Sequence, residues 1–82
     1  MPYIKCEERP QIDKVLGCLD SFNEGQLNYI ITKLCQRYIK ENGESYVNYN
    51  ALIGVLECAK LELYRRKTSR YEDLKILANG DV

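Results

Sequence analysis

The sequence predicts an all-α fold, a small bundle of three main helices followed by a short C-terminal helix or ordered tail. Three observations carry this. Apolar residues recur at three- and four-residue spacing through three segments, and capping residues punctuate those segments. The 82 residues are 45% hydrophobic and 29% charged, a balance typical of a globular chain and too apolar for a disordered one. A chain of this length forms one domain, residues 1–82, and buries only about 60 to 65% of the surface its unfolded form exposes, so its stability is modest or shared with a partner.

The first helix is expected from Pro10, which suits a first turn, through Ile12, Val15, Leu16 and Leu19 on one face, ending near Asp20 or Ser21. The second opens at "NEGQ", where Asn23 and Gln26 have the spacing of a capping box. Its apolar stripe is Leu27, Ile30, Ile31, Leu34 and Tyr38, and Gly43 stops it in a left-handed conformation. Asn48 is the expected cap of the third helix, which carries Tyr49, Leu52, Ile53, Leu56, Leu63 and Tyr64 and runs at least to Arg66. Gly54 inside it, stacked with Ala51 and Cys58, suggests that another helix approaches closely there, with the first or second helix preferred to a second copy. "TSRYE" reads as a break and restart, with Ser69 as cap, before a short fourth helix burying Tyr71, Leu74 and Leu77. Asn79 and Gly80 are read as a helix stop in preference to a hairpin turn whose strand would pair with Pro2 to Ile4.

Charge excludes a global electrostatic attraction, since Lys and Arg total 12 and so do Asp and Glu. There is no apolar run long enough for a membrane span and no secretory segment at the amino end, so a cytoplasmic protein without a membrane partner is expected. Cys6, Cys18, Cys35 and Cys58 are scattered and no histidine is present, an arrangement poor for zinc. They are read as small buried hydrophobes, and neither metal nor cofactor is expected.

Enzymatic chemistry finds little support. Without histidine a Ser or Cys nucleophile loses its commonest activator, and the glycines form no phosphate-binding loop. Among the carboxylates, Glu57 interrupts an apolar stretch and is read as an exposed flank paired with Lys60. Seven tyrosines accompany one Phe and no Trp. Tyr38, Tyr49 and Tyr64 fall on expected core faces, while Tyr3, Tyr29 and Tyr46 are candidates for a partner interface.

The stretch "YRRKTSR" concentrates charge. Residues 60–70 hold five cations against Glu62 alone, whereas residues 1–59 hold six cations and eight acids. A Glu62–Arg66 pair and the dipole at a helix carboxyl end explain most of the cluster as solvated helix. The alternative is a nucleic-acid contact through Lys60, Arg65, Arg66, Lys67 and Arg70, with Tyr71 as a stacking ring.

"MPYIK", "LNYIITKLC", "IGVLECAKLELYRR" and "YEDLKILANGDV" together resemble a family of small uncharacterised bacterial and phage-associated proteins, over nearly the whole chain. That family has no assigned activity, so the resemblance implies no catalytic residue. Its members often carry a proline before the tyrosine matching Tyr71, where this chain has Arg70, and an acid where it has Ala78. Phage association implies an accessory role, such as modulating a host protein. The expected function is a non-enzymatic protein-protein interaction module whose partner is either another protein or a second copy of itself, with nucleic-acid binding as the alternative.

Overall fold

The computed structural model describes residues 4–82, and the chain is all-α: no strand occurs among the described residues. A 3-10 turn at Cys6–Glu8 leads into α1 (Arg9–Leu16), followed by α2 (Glu24–Asn42), α3 (Tyr46–Leu63), a π turn (Tyr64–Thr68) and α4 (Ser69–Asn79). The chain divides within α2 into two units, Met1–Arg37 and Tyr38–Val82.

In the first unit, Pro10 lies in the first turn of α1 as expected. The helix stops earlier than its apolar spacing suggests, at Leu16. Gly17 still donates to the Asp13 carbonyl at 2.9 Å, but Cys18 and Leu19 turn back to the Val15 and Leu16 carbonyls, both at 3.1 Å. Those three-residue bonds tighten the chain into a turn at a glycine, the residue least committed to continuing a helix. At the start of α2 the capping box forms as read: the Asn23 amide donates to Gln26 Oε1 and the Gln26 amide to Asn23 Oδ1, both at 2.9 Å.

The second unit begins with the last turn of α2, which Gly43 terminates at φ +103° while donating to the Ile39 carbonyl at 2.7 Å. The cap of α3 is Ser45, not Asn48. Ser45 is extended, its Oγ accepts from the Asn48 amide at 3.2 Å, and α3 starts at Tyr46. The Asn48 side chain reaches back instead and donates to the carbonyls of Asn42 and Gly43 at 3.1 and 2.9 Å. It thereby satisfies acceptors that the end of α2 leaves without helical partners.

No break occurs at "TSRYE". Thr68 and Ser69 are both helical and neither side chain caps, so α3 passes through the π turn into α4. Glu72, three residues after Ser69 where a capping box would place its partner, instead accepts from the Tyr64 hydroxyl at 2.8 Å. At the far end Gly80 takes φ +85° and donates to the Ile76 carbonyl at 2.7 Å, which makes Asn79–Gly80 the expected helix stop. Pro2 and Tyr3 of the rejected hairpin lie outside the described residues.

The largest departure from expectation concerns the core. No described residue is buried. Tyr38, Tyr49 and Tyr64, placed on core faces by their spacing, are all exposed, as are Tyr71, Leu74 and Leu77 of α4. Of the cysteines read as buried hydrophobes, Cys6 and Cys18 are exposed, Cys35 and Cys58 are half-buried, and all four are free thiols. Within the first unit α1 and α2 do not pack on one another, and within the second α3 and α4 meet only through the π turn. Apolar periodicity specifies which residues seek cover and carries no information about what supplies it.

Candidate functional site

Two features of the second unit are set by local sequence and coincide in space, an unpartnered apolar row along α3 and the basic stretch at its carboxyl end. Tyr49, Leu52, Leu56, Ala59 and Leu63 recur at alternating three- and four-residue steps, the spacing that lines one seam of a helix. Leu52 is half-buried and the others are exposed, Leu63 by 62%. Apolar residues are not confined to this seam. Val47, Ala51, Gly54 and Cys58 occupy the opposite side, so α3 is apolar around most of its circumference, with Asn50, Glu57 and Lys60 as its narrow polar edge. A helix of that kind belongs inside a structure.

The π turn redirects the row beyond Leu63. One such turn adds about one residue to the helical register. In an uninterrupted α-helix the row would continue at Arg66, Arg70 and Asp73; one residue later it continues at Lys67, Tyr71 and Leu74. The Tyr64–Glu72 hydrogen bond reports that shift, since residues eight apart diverge by about 80° on an ideal α-helix and realign once a residue is inserted. The bond also pushes the Tyr64 hydroxyl above its ordinary pKa, because the carboxylate accepts from the neutral phenol and repels the phenolate.

The cations of residues 60–70 lie close together in sequence, and the structure sorts them. Lys60 pairs with Glu57 at 3.0 Å and both side chains stay largely exposed, as expected. Glu62 holds Arg66, the expected pair, and also Arg65 at 3.0 Å. These three lie off the apolar row. Neither Lys67 nor Arg70 has an ion-pair partner among the described residues, and Lys67 lies in line with the row. Tyr71 is exposed, with the Lys75 ammonium over one face of its ring, 5.5 Å from the ring centre.

At the other end of the row, the Tyr49 hydroxyl donates to Glu44, holding that carboxylate beside the first turns of α3. The contact raises the Tyr49 pKa, first through the hydrogen bond itself and then through desolvation and the carboxylate's charge. This acid was not singled out by sequence reasoning, because its relation to the row depends on Ser45 rather than Asn48 starting α3. Among the proposed interface tyrosines, Tyr29 and Tyr46 are strongly exposed, Tyr46 by 77% and Tyr29 beneath the Lys33 ammonium, 5.5 Å from its ring centre. Tyr3 lies outside the described residues.

A family model described as a domain of unknown function (DUF6899) matches residues 1–82. The chain belongs to that family. Neither a curated protein nor a solved structure matches this DUF6899 chain. No helix among the described residues is long and apolar enough to cross a membrane.

Proposed function

We propose that the chain acts by binding protein and not by catalysis, as a small helical interaction module that associates with itself and completes its helical bundle across copies. One observation carries the reading. α3 is apolar around most of its circumference, yet no described residue is buried. Isolated helices of this length are marginal in water, so α3 needs packing to persist. A reducing cytoplasm suits the four free thiols.

Sedimentation and far-ultraviolet circular dichroism, run in parallel over a hundredfold dilution, test this. A mass above the 9.6 kDa of one chain, with helicity falling as the complex dissociates, is expected. Full helicity at the mass of one chain throughout would refute self-association.

A second reading, nucleic-acid contact, is favoured only by the unpartnered Lys67 and Arg70. Two free cations predict a shallow salt dependence, a log-log slope of about −2 on duplex DNA in fluorescence anisotropy. A slope of about −4 or steeper would instead mean that Arg65 and Arg66 leave Glu62 to bind phosphate.

A further inference from the structure

The row on α3 and the charges that flank it together identify what covers the row. Of its five members Tyr49, Leu56, Ala59 and Leu63 are exposed and Leu52 is half-buried.

Charge selects the direction of pairing. The row itself is uncharged from Tyr49 to Leu63, with Lys67 in line with its carboxyl end and Glu44 held beside its amino end by Tyr49. Parallel pairing would set Lys67 against Lys67 and crowd the two basic stretches together, which is repulsive. Antiparallel pairing brings each basic end to the other copy's acid and also opposes the helix dipoles favourably. Glu44 and Lys67 lie nearly equally far from Leu56 along the chain, Glu44 just before the extended Ser45 cap and Lys67 within the π turn.

We propose that two copies of this chain pair antiparallel along Tyr49, Leu52, Leu56, Ala59 and Leu63, with the two-fold axis at Leu56 and Glu44 of each copy against Lys67 of the other. The proposal rests on the self-association reading and adds its face, direction and register. In this register Leu56 meets its own copy and Tyr49 packs against Leu63. Sliding the pair one heptad toward α4 would carry Lys67 onto apolar side chains with no acid opposite, a placement that costs its desolvation without compensation.

A charge-swap cycle on the full chain tests the register. Sedimentation equilibrium is measured on the wild type, Glu44→Lys, Lys67→Glu and the double variant, with helicity followed in parallel. Both sites are exposed, but Glu44→Lys also removes the acceptor of the Tyr49 hydroxyl, so Tyr49→Phe, which breaks that bond without changing charge, is measured beside it and is expected to weaken dimerisation less than the swap. Each single swap replaces two symmetric attractions by two repulsions, and about tenfold weaker dimerisation is expected. The double variant is expected to recover wild-type affinity to within about threefold.

A dimer indifferent to either swap, or not rescued by the double, overturns the register while leaving self-association standing. A trimer or other odd assembly overturns the two-fold. A folded monomer at every concentration overturns both this pairing and the self-association beneath it, and assigns the row to cover from within the same chain.

Discussion

Leu56→Asp is expected to weaken self-association by roughly 10- to 10³-fold and to lower helicity at micromolar concentration. Leu56 sits at the proposed two-fold, so one substitution removes two leucines from the same contact; each is 37% exposed in the single chain, so pairing covers the remaining third of its surface, worth about 0.5 to 1 kcal/mol. It also places two carboxylates face to face, which adds to the loss. The contrast with the isolated chain makes the experiment decisive. In the single chain Leu56 makes no contact beyond its own helix neighbourhood, so the intrinsic cost is chiefly the lower helix propensity of Asp, about 0.5 kcal/mol, and it does not depend on concentration. Sedimentation combined with thermal melts at several concentrations reads the outcome. An unchanged mass and midpoint would mean that Leu56 meets water in the working protein and that a different face mediates association.

The parts of this structure legible in the sequence are those fixed within about one helical turn. Asn23 and Gln26 are three residues apart and satisfy one another, Gly43 and Gly80 supply conformations that few other residues adopt, and Glu57–Lys60 and Glu62–Arg66 are neighbours on one helix surface. Two local competitions were less legible. Ser45 and Asn48 are both good capping residues, and Ser45 prevails because Asn48 serves the end of α2. Gly17 ends α1 although Leu19 continues its apolar spacing, since a single turn of further helix gains little.

The π turn was not legible for a different reason. "YRRKTSR" contains no glycine or proline, and the signals at Ser69 and Glu72 imitate a helix start. A register shift is visible only through what it aligns, here Tyr64 with Glu72 and Leu63 with Lys67, Tyr71 and Leu74. The same limit applies to cover for the apolar faces. Spacing of three and four places Tyr49, Leu52, Leu56 and Leu63 together, but an intramolecular helix and a second copy satisfy that pattern equally well.

Gly54→Ala resolves the remaining ambiguity on α3 through the sign of its effect. The sequence suggested that another helix approaches Gly54, where a methyl group would collide. In the structure a Cβ added there meets nothing within 4 Å, and Gly54 lies on the side of α3 away from the row. Its backbone is ordinary helix, so alanine fits without strain and removes conformational freedom from the unfolded chain. The expected outcome is stabilisation by about 1 kcal/mol, an increase of roughly 4 to 8 °C in the melting midpoint for a domain of this size. Pairing along Leu56 leaves this gain intact, because the new methyl points away from the second copy. A lowered midpoint would mean that a helix does seat against Ala51, Gly54 and Cys58, and that the small-residue side of α3 is the covered one. The two substitutions thus probe opposite faces of one helix, and the pairing proposed here requires loss at Leu56 together with gain at Gly54.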